Sequence, residues 1–228
     1  MFEKIDKNLL DKIVTQNKNN ANINCIILSK EYDRTKKELK NILNENICEL
    51  PIISGFAVEC TSANLYKIAK LNCVRFISSD AKVNSLMYKT NNFLHTENLR
   101  NKIRNESTHS VVVIDTGVYP HIDFCLGKNR IIKFVDLINN KDISYDDNGH
   151  GTFVTGVLAG NSIVDKCTGI DNSVNIIVIK ALDSDGETTS IKILQAMQWV
   201  LDNSEKYNIK VVCMSFGSLL GDKNDPLM

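Results

Sequence analysis

An aspartate that ends an apolar run and a histidine framed by glycines are the residues of this chain best suited to move protons. Asp115 closes the stretch Val111-Val112-Val113-Ile114-Asp115 and is followed by Thr116-Gly117. His150 sits in Asn148-Gly149-His150-Gly151-Thr152-Phe153-Val154-Thr155-Gly156, 35 positions further on. A carboxylate can hold an imidazole in one tautomer and support the imidazolium that forms when the ring takes a proton. A helix start disfavours imidazolium, which suits a neutral general base. The pair therefore amounts to two members of a Ser-His-Asp set, and the third, an activated hydroxyl, has to be found elsewhere. No Gly-x-Ser-x-Gly elbow occurs in the chain.

Such a pair needs strands and helices to aim it. In an open parallel sheet, functional groups gather beyond the carboxyl ends of strands, where Asp115 would stand. From residue 110 onward the pattern is parallel α/β. Continuous apolar runs at 111–114, 131–135, 174–179 and 211–214 predict strands covered on both faces. Helices are predicted at about 150–159 and 190–203. The second carries Ile193, Leu194, Ala196, Met197, Val200 and Leu201 on one stripe, with 188–190 as caps. The small residues Gly151, Gly156 and Ala159 would let the first helix press against the sheet.

Residues 23–78 alternate differently. Strands are predicted at 23–28, 47–53, 55–60 and 73–77. Helices are predicted at 34–46, with Leu39, Ile42 and Leu43 on one face, and after Thr61 or Ser62, with Leu65, Ile68 and Ala69 inward. The order is βαββαβ, that of a small α+β domain. Residues 79–109 lose strand character and form the best boundary, with a short helix predicted at 96–104. The expected organisation is a polar N-terminal segment at 1–22, read as a tail or frayed helix, a small domain at 23–86, a linker at 87–109 and an α/β region at 110–228.

Composition narrows the class. Lys+Arg and Asp+Glu both number 27, so the chain has no electrostatic footprint for nucleic acid or an anionic membrane. The N-terminus has no apolar signal region, and no apolar run has the length of a bilayer span. The seven cysteines are an odd number and lie mostly in apolar strands, so buried reduced thiols and a cytoplasmic location are expected. No Cys/His cluster has the spacing of a metal site. Asp146-Asp147-Asn148 reads as a solvated loop that caps the following helix. His95 and His109 show no partner, and Trp199 reads as a packing anchor.

Together, Asp115-Thr116-Gly117 and His150-Gly151-Thr152-x-Val154-x-Gly156 closely resemble the motifs of the subtilase family of serine proteases. Lys180-Ala181-Leu182-Asp183-Ser184-Asp185-Gly186 and Val211-Val212-Cys213-Met214-Ser215-Phe216-Gly217-Ser218 resemble two further stretches of that family. Residues 23–86 look like its propeptide, an inhibitor and folding chaperone that contacts its own catalytic domain. The resemblance implies a parallel-sheet subtilisin-like α/β domain, incomplete here, behind a small α+β propeptide domain. It also implies an endopeptidase acting on peptides or proteins. Asp115 would orient His150, and His150 would take a proton from serine. Ser215, Phe216, Gly217 and Ser218 would pair with substrate backbone, with Leu182 and Gly186 flanking a distal subsite.

The family's Gly-Thr-Ser-Met-Ala motif and its oxyanion asparagine are absent from these 228 residues. The chain alone is therefore expected to be inactive, with an unpaired apolar edge near 211–214. A serine-less pseudoprotease or an inhibitory, regulatory protein is the competing reading. An aspartic protease would need a second Asp-Thr/Ser-Gly, and none exists. No cofactor is counted on. Asp123 could ligate calcium in relatives, but the loop at 161–168 is poor in glycine and carries Lys166.

Overall fold

The computed structural model describes residues 4–16, 22–43, 47–85, 109–161 and 169–217. They divide into two compact units. The first holds the described residues up to Lys82 together with Thr189–Gln198, and the second holds Val83–Thr188 and Trp199–Gly217. No helix among the described residues is long and apolar enough to cross a membrane.

In the first unit the elements are α1 (Lys7–Gln16), β1 (Ile23–Ser29), α2 (Tyr32–Leu43), β2 (Ile47–Leu50), β3 (Gly55–Cys60), α3 (Ser62–Ala69) and β4 (Val74–Ser79). The four strands form an antiparallel sheet in the order β2-β3-β1-β4. Successive strand residues point to opposite faces, so each central strand must satisfy two cores. On one face Cys25, Ile27, Phe56, Val58 and Ile77 pack with Leu39, Leu65 and Ile68 from the helices. On the other, Ile26, Leu28, Leu50, Ala57 and Phe76 pack with Leu194. Leu194 belongs to α6 (Ser190–Asn203). The sequence reading places that helix wholly with the α/β region, whereas the structure groups its first turns with this sheet. The helix-start donors are satisfied there, Ser190 N by Ala81 O at 3.0 Å and Ile191 N by Asp80 Oδ1 at 3.1 Å. Thr61 caps α3, as its residue type suggests, accepting from Asn64 N at 3.4 Å.

Two local expectations are corrected. The N-terminal segment, expected as a tail or a frayed helix, holds a docked helix. Ile5 bridges Ile77, while Leu9 and Ile13 are buried in the core. Leu9 and Ile13 are one helical turn apart on α1, and Ile5 adds to the same core from the bridge before the helix. The Asp6 carboxylate accepts from Asn8 N, Ser79 N and Ser79 Oγ, which fixes the entry to α1. The strand expected at 47–53 ends at Leu50, and Pro51–Ile53 forms a single 3-10 turn. Proline supplies no N–H for the ladder, and the chain turns there.

The second unit is built on β6 (Ser110–Asp115), β7 (Ile131–Asp136), β8 (Asn175–Lys180) and β10 (Ile209–Met214), parallel in the order β10-β6-β8-β7. β6 and β8 are central and buried, as continuous apolar runs require. Val113, Ile176 and Val178 pack with Phe124 of α4 (Ile122–Cys125), Phe134 of β7 and Ala159 of α5 (His150–Ala159). The covering expected for β10 is not found, since Val211, Val212 and Met214 are 51%, 36% and 44% exposed. Among the described residues β10 is the edge of this sheet, as expected near 211–214, so its apolar run lacks the cover that β6 and β8 have. Leu201 is likewise exposed although it follows Leu194 by two turns, because periodicity sets a direction without supplying anything to pack against. A three-stranded sheet, β11-β5-β9, joins β11 (Phe216–Gly217), β5 (Lys82–Ser85) and β9 (Glu187–Thr189). β5 lies where strand character was expected to fade. The helix expected at 96–104, with His95, falls outside the described residues.

Candidate active site

β6 and β8 run side by side with Asp115 opposite Lys180, so both side chains emerge at one end of the sheet. Asp115 is fully buried. Its Oδ1 accepts from Thr116 N at 2.7 Å and lies 2.7 Å from His150 Nδ1. That contact selects the tautomer with hydrogen on Nδ1 and leaves proton exchange to Nε2. Asp115 Oδ2 is buried without a hydrogen-bond partner among the described residues. Burial pushes the Asp115 carboxyl above its usual range, against the opposing pull of the His150 and Thr116 hydrogen bonds.

His150 is the first residue of α5 and is itself nearly buried. Asn148 Oδ1 accepts from its amide at 3.1 Å. Gly151 lets the helix start rest on the turn after Asp115. A Cβ there would collide with the Gly117 carbonyl oxygen and lie 3.1 Å from the Asp115 Cβ. Gly117 in turn has φ 121°, a region that favours glycine. Gly156 does not repeat the role expected of it, since a Cβ at that position would meet nothing within 4 Å.

Asp146 ties the two stretches together. Its Oδ1 accepts from Thr116 Oγ1 at 2.9 Å, Asn148 N at 3.1 Å and Gly149 N at 2.8 Å, and its Oδ2 accepts from Thr152 N at 2.8 Å and from Thr152 Oγ1. Thr116 Oγ1 also accepts from Gly151 N at 2.9 Å. Burial alone would raise the Asp146 carboxyl, but these bonds outweigh it and hold the group below the usual range. The capping role expected of this acidic cluster is what the side chains do. Thr116 and Lys180 were not singled out by sequence reasoning. The available signal was a lysine closing an otherwise apolar strand.

The residues expected to contact substrate are distributed as follows. Phe216 and Gly217 form β11 and pair antiparallel with Ser85 and Asn84 of β5. Ser215 joins β10 to β11, its Oγ 3.5 Å from Cys213 Sγ. Leu182 is fully buried, and its amide donates to Asp115 O at 3.2 Å. Gly186 closes a turn on Asp183 O with φ 73°. Ser218 lies outside the described residues.

Beside Asp123, whose carboxylate was the calcium candidate, the described chain carries a cation of its own, and residues 162–168 of the 161–168 loop fall outside the described residues. The buried Arg130 guanidinium donates through Nη2 to Asp123 O and Ala159 O, each at 2.6 Å, so a fixed cation already holds those carbonyls. No group of three or more His, Cys, Asp or Glu residues among the described residues is arranged to hold a metal. His109, expected to lack a partner, has its Nδ1 3.1 Å from Asn208 Nδ2. Trp199 stacks on Tyr207 with ring centroids 5.8 Å apart. Cys25, Cys60 and Cys73 are buried free thiols, and Cys48, Cys125 and Cys213 are partly buried free thiols.

A parallel sheet that delivers an aspartate to a histidine at a helix start is the frame of a Ser-His-Asp hydrolase. The subtilase family model matches residues 106–227, and the chain belongs to that family. It is similar to the serine protease AprX of Bacillus subtilis, 29% identical over 218 residues, covering 89% of this chain and 46% of that protein. It is also similar to the thermostable alkaline protease of Halalkalibacterium halodurans, 28% identical over 175 residues, covering 76% and 45% respectively. The epidermin leader peptide processing serine protease of Staphylococcus aureus shares the fold, with TM-score 0.63 at 18% identity over 90% of this chain and 52% of that one. The chain spans about half the length of these curated relatives.

Proposed function

We infer that this chain carries the proton-handling half of a serine endopeptidase site, with His150 as general base and Asp115 as the group that orients it. The observation that carries the reading is the buried 2.7 Å contact between Asp115 Oδ1 and His150 Nδ1. In the reaction, Nε2 accepts the proton of a serine hydroxyl as that oxygen attacks the peptide carbonyl, then returns it to the leaving amine. Peptides or proteins are the substrate class that the family implies. Phe216 and Gly217 would take substrate backbone as an added strand, a mode that accepts many side chains.

The pairing of β5 with β11 supports a second part of the reading. Residues 23–86 act as an attached propeptide, and its last strand occupies the place where substrate backbone would add. No serine of these 228 residues stands in a Gly-Thr-Ser setting, so the chain alone is inactive. Loss of a triad serine costs on the order of 10⁶ in kcat. The test is hydrolysis of a fluorogenic peptide set by the purified chain. Background rates are expected, and hydrolysis that vanishes in His150→Ala would overturn the claim of inactivity.

A further inference from the structure

Lys180 is fully buried at the end of β8, beside Asp115. Its Nζ lies 2.6 Å from Thr116 O, 2.6 Å from Asp147 Oδ1 and 3.0 Å from Leu182 O. An ammonium has three N–H donors and no acceptor, so this arrangement uses all of them. A well-packed apolar side chain would avoid the desolvation cost of burying an amine. What the amine adds is simultaneous control of three acceptors on three separate stretches of chain.

Those stretches are the ones that meet at the site. Thr116 follows Asp115, and its amide donates to the Asp115 oxygen that faces His150. Asp147 stands three residues before His150, in the loop that starts α5. Leu182 and Ala181 donate their amides to Asp115 O. With its carbonyl on Lys180, its amide on Asp115 and its hydroxyl on Asp146, Thr116 has every polar group engaged. Without the amine, the Thr116–Gly117 peptide loses the partner of its carbonyl, one Cα away from the Thr116 N–H that holds Asp115 Oδ1.

We propose that Lys180 is a positioning residue for the Asp115–His150 pair, clamping the turn after the aspartate and the loop before the histidine in one grip. It touches no reacting atom and acts through Thr116 and Asp147. The inference rests on the general-base reading of His150, and its test separates the two claims.

The measurement is the low-field His150 Nδ1 proton in NMR spectra of the full chain labelled with ¹⁵N-histidine, assigned by its loss in His150→Gln. Wild type should show this proton in slow exchange with water. Lys180→Met should keep cooperative thermal unfolding yet speed the exchange at least about tenfold, or broaden the signal away, because the local contact opens more often. A folded Lys180→Met chain with an unchanged signal would overturn the positioning role while leaving the dyad intact. If Lys180→Met does not fold, Lys180→Gln is read in the same way. If neither folds, Lys180 is a stability residue and the proposal fails. Absence of the signal from wild type itself would instead remove the general-base reading beneath it.

Discussion

Asp146→Asn should loosen the start of α5 and flatten the acid side of the stability profile. The aspartate receives Thr116 Oγ1, Asn148 N and Gly149 N on one oxygen and Thr152 N and Oγ1 on the other. Asparagine must turn an NH₂ group toward one of these sets. Facing Thr152 is the better choice, because that hydroxyl can rotate to accept, but the Thr152 amide then loses its partner. A hydrogen bond to a charged group is worth about 1.5–3 kcal/mol, and a stranded donor costs about 1–3 kcal/mol, less at this partly buried position. The expected loss at neutral pH is therefore about 2–4 kcal/mol, or roughly 5–12 °C in Tm for a chain of this size.

The sign of the pH dependence follows from the direction of the shift. Burial is the largest single influence on Asp146 and acts upward, yet the bonds from Thr152, Gly149 and Thr116 leave the carboxyl below its usual range. The folded state thus binds this proton more weakly than the unfolded chain does. Its contribution is complete above the ordinary carboxylate value of about 4 and is lost as pH falls through the depressed one. Wild type and variant should converge on acidification. Thermal unfolding followed by circular dichroism between about pH 3 and pH 7 measures this. A Tm difference under about 2 °C at pH 7 would refute the hub role. A difference of the same size at both ends of the range would refute its electrostatic origin.

Leu9→Ala should cost about 2–5 kcal/mol in urea unfolding, because Leu9 is fully buried in the core, whereas a solvated tail would lose almost nothing. Gly151→Ala forces a methyl group against the Gly117 carbonyl oxygen and should destabilise by about 1–3 kcal/mol. It should also shift the His150 Nδ1 proton signal. A melting curve superimposable on wild type would show that α5 does not press on the turn. Val211→Lys charges the exposed edge strand and should move sedimentation profiles toward monomer, with stability unchanged to within about 0.5 kcal/mol. An apolar edge strand invites pairing with a second copy, and an unaltered profile would exclude β10 as a surface for it.

The unequal legibility of the sequence has identifiable causes. α5 and α6 begin and end where periodicity and capping residues put them, because those signals act over one or two turns and need no partner. The βαββαβ order of residues 23–79 was readable for the same reason. The docking of α1, beyond a tail or frayed helix, was not readable because its apolar residues look weak in a polar segment until they are set against the flank of β4. Gly151 and Gly156 looked equivalent, yet a Cβ at Gly151 meets a backbone oxygen while one at Gly156 meets nothing within 4 Å among the described residues. Gly156 shares the helix with Gly151 but not its neighbours, and neighbours across space are not written in a helix period.

By itself the sequence determined the residue chemistry of the site and its address on the elements, namely an aspartate ending one strand and a histidine opening one helix. Residue type and local period suffice for that, because both are properties of contiguous chain. Only the tertiary structure decided that these two meet at 2.7 Å, that Asp146 and Lys180 bridge the stretches carrying them, and that Arg130 holds the backbone carbonyls of Asp123 and Ala159. Those contacts join residues 30 or more positions apart in several cases, and their distances follow from which strands become neighbours in the sheet. Strand order is settled by the packing of whole faces, a quantity to which each short motif contributes only a part.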